Sequence, residues 1–245
     1  TVPYMFNRGR HIPPATGPFG SAAAVSRAMG VSEDICVNAI AIAGSHAGGH
    51  LEYTNTGGSV KRCHCAIPST NGLRSTMMAI HGITGPRSVI EGKRGFLATF
   101  AGQYDATKIT NGLGEDYRLL DTSYKMVASP YSAQGCLQAF DEVVRENGIK
   151  AEDIESIEIV SSPFTIKNVG VIFEPADILE AHFSTAFGCA VRLFRGGNGV
   201  YDYKTEDLKD PKFLDIARRV KFTPDDAMEE ERVRFNSRPA AAKIV

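Results

Sequence analysis

The stretch GRHIPPATGPFGSAAAVSRAMGVSEDICVNAIAIAGSHAGG, residues 9–49, decides how the first half of the chain folds. Prolines and glycines punctuate residues 1–17, which predicts an irregular N-terminal segment. The Ala-rich run 18–30 predicts a tightly packed helix that stops at Gly30. Ser32 is placed to cap the next helix, whose apolar side chains cover most of its circumference, so this second helix should be buried.

The sequence that follows continues the helical pattern. Residues 50–62 are polar and glycine-containing, which predicts a loop, and 83–102 predicts short helical pieces joined by Gly and Pro. Between them, 64–81 predicts a helix with Pro68 in its first turn. The candidate core positions of this helix are Leu73, Met77, Met78 and Ile80. Residues 1–118 therefore predict an all-α region.

The composition changes after this region and predicts an α+β part over residues 119–245. The predicted elements are an amphipathic helix over 131–148 that ends at Gly148, an alternating strand over 154–162, a long helix over 175–197, a helix capped by Asp210, and two strands within 231–245. The fold class is thus mainly α with an α+β part.

Length and charge limit the kinds of function. The 245 residues suffice for one large domain or two small ones, and 43% hydrophobic with 22% charged residues is ordinary for a soluble globular protein. Lys+Arg number 27 against 28 Asp+Glu. Such a balance disfavours nucleic acid as the partner. With no signal peptide and no apolar run of about 18 residues, no membrane role is expected and a cytoplasmic location is the prediction; an organelle stays open if an N-terminal segment is missing.

The cysteines favour packing over metal binding. Their odd number, without paired spacing, argues against a disulfide framework; they are Cys36, Cys63, Cys65, Cys136 and Cys189. Cys63-His64-Cys65 resembles half of a metal site, but zinc ligands in such pairs usually have two to four residues between them, and no second pair follows. We therefore predict ordinary packing thiols and no metal.

Three segments contain candidate functional side chains. His11 stands in a Pro/Gly-rich loop before a helix, and histidine is the natural proton-transfer residue near neutral pH; the alternative is an ordinary hydrogen-bonding residue. Lys61, Arg62 and His64 precede a helix, where they predict an anion site together with the helix N–H groups, or else a solvated basic turn. Lys125, if buried, could act as a base or pair with a carboxylate; the alternative is a surface lysine.

These segments together resemble the MmgE/PrpD family, which includes 2-methylcitrate dehydratase, cis-aconitate decarboxylase and iminodisuccinate epimerase. The resemblance is strongest in residues 9–49 and in KRCHCAIPSTNGLRSTMMAIHGITGPRSVIEGKRGF, residues 61–96, and continues weakly in 123–140, 178–194 and 210–220. It implies a large all-helical domain, a smaller α+β lid domain, and an active site in the cleft. It also implies a metal-independent, generally dimeric protein without a cofactor, whose substrates are small polycarboxylates that lose a proton or develop charge beside a carboxylate.

The resemblance assigns roles to the candidate residues. His11, Lys61 and Lys125 match the catalytic positions, with His11 as the acid or base and the lysines holding carboxylates. Arg62 and His64 follow as substrate-binding candidates. Three positions depart from the family pattern and raise doubt about the dehydration or decarboxylation step, because the family's Cys, His and Tyr fall on Ser129, Ala133 and Phe187.

Family members are longer than this chain. The resemblance therefore implies that a helical segment precedes Thr1, that another follows Val245, and that 1–118 and 119–245 are a partial helical domain and an incomplete lid. The expected partners are a second copy of the chain, or a chain that supplies the N-terminal half. The first hypothesis is a lyase or isomerase of the 2-methylcitrate dehydratase type. The second is a non-catalytic subunit that binds a carboxylate or a partner chain.

Overall fold

The computed structural model describes residues 2–56 and 58–245 and divides the chain into two compact units. The N-terminal unit extends to Leu120, and the C-terminal unit comprises Asp121–Val245. The first is helical and the second contains helices around a small sheet, which confirms the predicted fold class. The interpretation of these regions as a partial domain and an incomplete lid stays a prediction.

Within residues 2–56 and 58–120, the N-terminal unit contains five α-helices, joined by turns. They are α1 (Val2–Asn7), α2 (Ile12–Met29), α3 (Glu33–Ala43), α4 (Tyr53–Thr56) and α5 (Ala66–Ile80). A 3-10 turn at Ser59–His64 leads into α5, and a π-helical turn lies at Leu97–Ala101. As predicted, α2 ends at Gly30 in the left-handed conformation (φ 64°), and the Ser32 hydroxyl accepts a hydrogen bond from the amide of Ile35 at 3.4 Å.

Two predicted irregular segments are wrong. The segment 1–17 contains α1 and the start of α2, because Pro13 and Pro14 stand in the first turn of α2, where a missing amide hydrogen costs nothing. The predicted loop 50–62 contains α4 and the 3-10 turn. Thr1 and Gly57, which those predictions included, lie outside the described residues.

Helices α2 and α5 run parallel and touch closely. A Cβ at position 72 would lie 2.3 Å from the Ser21 side chain and 2.6 Å from the amide nitrogen of Ala22. The Ser21 hydroxyl donates to the carbonyl of Ser69 at 2.8 Å, so this contact extends along both helices. Because the paired residue numbers rise together, the N-terminal ends of α2 and α5 lie at the same end of the pair.

The predicted core face of α5 is wrong. Leu73, Met77 and Met78 are 46%, 40% and 39% exposed, and Ile80 is only partly buried. The buried positions of the helix are small or carry a hydroxyl group: Gly72, Ser75, Thr76 and Ala79, with Pro68 in the first turn. Backbones this close leave no room for Leu or Met between them, so the large side chains point away from the neighbouring helices.

The C-terminal unit packs six helices with a three-stranded mixed sheet. The helices are α6 (Gln134–Asn147), α7 (Pro163–Val169), α8 (Ile178–Phe183), α9 (Thr185–Arg195), α10 (Pro211–Arg218) and α11 (Asp226–Phe235). The strands are β1 (Ile157–Ser161), β2 (Val220–Pro224) and β3 (Ala240–Ile244). The order is β2-β1-β3, with β2 parallel and β3 antiparallel to β1.

In the C-terminal unit the predicted helix ends are confirmed, whereas one long helix and one strand are not. Gly148 ends α6 in the left-handed conformation, and Asp210 caps α10. The long helix predicted over 175–197 is wrong, because the Ser184 hydroxyl caps α9 by accepting from the amide of Phe187 at 2.9 Å and so separates it from α8. The first strand predicted within 231–245 is also wrong, since α11 extends to Phe235.

None of the helices within residues 2–56 and 58–245 has the combination of length and apolar character needed to cross a bilayer.

The close packing of α2 on α5 can be tested with two glycine substitutions. Gly72→Ala should lower the free energy of unfolding by about 1–3 kcal/mol, because the added methyl group meets backbone. Gly20→Ala is the matched control: position 20 lies in α2 with open space around it, so the same change should raise the free energy of unfolding by about 0.4–1 kcal/mol. Urea unfolding followed by circular dichroism measures both. Similar small effects at the two positions would contradict this account.

Candidate active site

His11 is the residue that precedes α2, and backbone hydrogen bonds to residues 49–50 hold its segment in place. Its amide donates to the carbonyl of Gly49 at 3.3 Å, and Arg10 and His50 form an antiparallel bridge. Gly49 has φ 95°, and a Cβ at this position would lie 2.2 Å from the ring of Pro14. Only glycine fits there, so the segment can lie directly against the start of α2.

His64 ends the 3-10 turn before α5 and is 5% exposed. The parallel packing of α2 and α5 brings it to His11, and the two Nδ1 atoms lie 2.6 Å apart. In such a contact one ring donates its Nδ1–H and the other accepts on a bare Nδ1. A neutral pair therefore has one ring with a bare Nε2 and one ring with an Nε2–H group.

Tyr53 covers this pair, and the sequence prediction missed it because it placed the residue in a loop. The side chain is buried, and its ring lies edge-on to both imidazoles, with centroids 5.7 Å from His11 and 5.5 Å from His64. An aromatic residue in an otherwise polar segment is the one signal that could have identified it.

The environment keeps both imidazoles uncharged near neutral pH. Burial lowers the pKa of His11 to about 4, assisted by the neighbouring His64 and the positive charge of Lys61. Burial, together with His50, also lowers the pKa of His64. Burial raises the pKa of Tyr53, so its phenol stays protonated. The cluster thus combines two neutral imidazoles and a phenol with a nearby ammonium group.

The structure brings three of the five predicted site residues together: His11, His64 and Lys61. Lys61 lies half-buried on the 3-10 turn and acts electrostatically on His11. Arg62, on the same turn, has an exposed side chain. Lys125 belongs to the C-terminal unit and is exposed, which matches the surface alternative rather than the buried one. The roles of all five stay predictions.

The three positions that depart from the family pattern lie in the interior of the C-terminal unit. Ala133 and Phe187 are fully buried, and Phe187 stacks on Phe213 with ring centroids 5.8 Å apart. Ser129 is also buried, with its hydroxyl 3.3 Å from that of Tyr203. Here these side chains pack the unit.

The prediction of packing thiols is correct only in part. Cys136 and Cys189 are buried, whereas Cys63 and Cys65 are exposed on either side of the buried His64. Among the residues that the structure describes, no group of three or more His, Cys, Asp or Glu side chains is arranged to hold a metal ion.

The lowered pKa of His11 predicts how stability depends on pH. The ring should titrate near pH 4 in the folded chain and near 6.5 in the unfolded chain. Between these values the unfolded chain binds a proton that the folded chain does not, so acidification from pH 6.5 to 4 should lower the free energy of unfolding. His11→Gln should make this dependence shallower. NMR titration of the ring C–H groups, with urea unfolding at several pH values, measures both effects. A folded-state midpoint near 6.5 would contradict the prediction.

Comparison with known proteins connects this geometry to a family. Residues 3–108 match the MmgE/PrpD N-terminal domain, and residues 128–245 match the MmgE/PrpD C-terminal domain. Human cis-aconitate decarboxylase is 25% identical over 232 residues, which is 88% of this chain and 45% of the relative. A cis-aconitate decarboxylase of Aspergillus terreus is 25% identical over 88% of this chain and 47% of its own length.

A third relative, a cis-aconitate decarboxylase-like protein of Aspergillus oryzae, is 30% identical over 148 residues, or 58% of this chain and 30% of its own length. The chain therefore spans less than half the length of these curated relatives. With both domains matched in order over most of the sequence, the chain belongs to the MmgE/PrpD family.

Proposed function

We propose that this chain is part of a lyase that acts on a small polycarboxylate, similar to 2-methylcitrate dehydratase, by proton transfer at a carbon next to a carboxylate. The observation that carries the proposal is the neutral His11–His64 pair beside Lys61, in a chain of the MmgE/PrpD family. The relatives named cis-aconitate decarboxylase support a small carboxylate as substrate. An isomerase that only moves the proton would use the same first step.

His11 is proposed to take or return the proton. It is held neutral, so it can accept a proton at physiological pH. As a residue it is only partly buried, whereas His64 is 5% exposed. Lys61 acts electrostatically on His11 and is proposed to bind a substrate carboxylate and stabilise the charge that develops on proton removal. Arg62 and Lys125 are proposed, from the family resemblance, to supply further cations for a substrate with two or three carboxylates.

The whole activity is proposed for an assembly larger than this chain. The chain spans less than half the length of its relatives, so the remaining part of the site is proposed to come from a second copy, from a longer polypeptide or from a partner chain. We propose a cytoplasmic location and no nucleic-acid or membrane partner, in keeping with the balanced charge of the sequence.

A second candidate function is a non-catalytic subunit that binds a carboxylate. It is favoured by the interior placement of Ser129, Ala133 and Phe187, because the thiol, imidazole and phenol that the resemblance implies at these positions are replaced by side chains that pack the C-terminal unit. The two candidates differ in one property: only the enzyme moves a proton.

Proton exchange in D₂O separates the two candidates. The protein, with any chain that copurifies, is incubated with a panel of small di- and tricarboxylates, and deuterium incorporation and product mass are followed. We expect exchange with at least one compound, and His11→Gln should slow it by about 10²–10⁴-fold, the usual contribution of a positioned acid or base. Loss of water, loss of CO₂ and exchange alone identify dehydration, decarboxylation and epimerisation. Binding without exchange would favour the non-catalytic subunit.

The lysines provide a further prediction. Lys61→Met and Lys125→Ala should each raise the KM and lower the kcat, because each removes a cation proposed to hold a substrate carboxylate. Lys93→Met is the matched control, since Lys93 is an exposed lysine on a turn of the N-terminal unit. Steady-state kinetics with the best compound of the panel measures the effects. Variants of Lys61 and Lys125 as active as the Lys93 variant would contradict the assignment.

A further inference from the structure

The contact between the two imidazoles restricts what each ring can do. At 2.6 Å, the Nδ1 atom of His11 is fully occupied by the Nδ1 atom of His64, so Nε2 is the atom through which His11 can meet a ligand. His64 is 5% exposed and lies against Tyr53, whereas His11 as a residue is only partly buried. Of the two rings, His11 is therefore the better placed to meet a substrate, and His64 lies behind it.

The protonation state of such a pair is correlated. If His11 carries its proton on Nδ1, that N–H group donates to His64 and leaves Nε2 bare; if His11 carries its proton on Nε2, it has no free basic nitrogen. If both rings carried a proton on Nδ1, two Nδ1–H groups would lie 2.6 Å apart and neither nitrogen could accept a hydrogen bond. A base is present at His11 only in the first arrangement.

We propose that His64 is a positioning residue that accepts the Nδ1–H of His11 and thereby presents a bare Nε2 for proton removal. This inference rests on the proposed function, and it replaces the substrate-binding role that the sequence suggested for His64. In the step, a C–H bond next to a carboxylate breaks, its proton forms the Nε2–H bond of His11, and the electron pair stays on the substrate as an enolate-type anion. The Nδ1–H···Nδ1 bond then stabilises the resulting imidazolium.

The charged and titratable groups around the pair suit this assignment. Lys61 acts on His11, and His50 acts on His64, both of which oppose extra positive charge on the free protein. Tyr53, from α4, faces both rings. An anionic substrate beside Lys61 would offset this positive field, so the pair stays neutral when empty and can take up a proton when a carboxylate is bound.

The tautomer of His11 tests the inference directly. In ¹⁵N-labelled protein near neutral pH, with any copurifying chain present, the ring nitrogens of His11 should show a protonated Nδ1 and a bare Nε2. The opposite tautomer would overturn the proposal, whatever the activity. The tautomer can be measured without substrate, so its result tests this inference alone. Failure of the proposed function would show separately, as wild-type protein that catalyses no proton exchange.

Substitution of His64 gives the second test. His64→Leu removes the acceptor, so His11 should shift toward the Nε2–H tautomer, and the kcat for proton exchange should fall by about 10- to 100-fold, as when the partner that orients a functional histidine is removed. His64→Asn places an amide oxygen where Nδ1 stood, and should retain the tautomer and most of the rate. If the Leu variant does not fold, the Asn variant and the wild-type tautomer decide.

The matched control is His81→Leu. His81 is exposed, and its Nδ1 lies 2.8 Å from the carbonyl of Met77, one turn earlier in the chain. This variant should leave both the His11 tautomer and the exchange rate unchanged. A His64→Leu variant that behaves like the His81→Leu variant in both readouts would overturn the proposal.

Discussion

The close parallel contact between α2 and α5 is the constraint on which the candidate site depends. Gly72 lets the backbones approach until only small side chains fit between them, and the hydroxyls of Ser26 and Thr76 meet inside the seam at 3.5 Å. Because the helices run in the same direction, the residues just before each helix meet as well. His11 and His64 are those residues, so the packing of the two helices brings together two imidazoles that are 53 residues apart in sequence.

This placement also explains why the pair is neutral. The start of a helix carries a partial positive charge, which disfavours a cation, and here the starts of two helices lie together. Burial acts in the same direction and is the largest cause of the low pKa of His11, followed by the neighbouring His64 and Lys61. The fixed positive charge comes instead from Lys61, which is half-buried on the 3-10 turn. A histidine binds an anion best when it is protonated, but it can accept a proton only when it is neutral. In this cluster Lys61 is placed to hold the anion, and a neutral imidazole is left to accept the proton.

What the sequence could predict was local. Gly30, Ser32, Gly148 and Asp210 mark helix ends because the capping contacts lie within a few residues. The face of α5 could not be predicted from hydrophobicity, because the distance between helices, not the transfer of Leu or Met from water, decides what is buried there. Strand β2 pairs in parallel with β1, which lies more than sixty residues earlier, and no local sequence pattern predicts this pairing. His11, His64 and Lys61 were identifiable as candidates one by one, whereas the partnership of the histidines and the cover by Tyr53 follow from tertiary contacts.

The interiors of the two units differ in the side chains that fill them. The C-terminal unit buries large side chains such as Phe140, Phe187 and Phe213 around β1, and Asn198 donates to the buried Tyr203 hydroxyl at 3.1 Å. Ser129, Ala133 and Phe187, the three positions that depart from the family pattern, are buried in this unit and pack its interior. The N-terminal unit has a small core cluster of four alanines and Ile42. Since proton transfer needs a titratable group held at a defined place, the proton-transfer chemistry proposed for this chain depends on the N-terminal unit, and specifically on the geometry that α2 and α5 impose on two histidines.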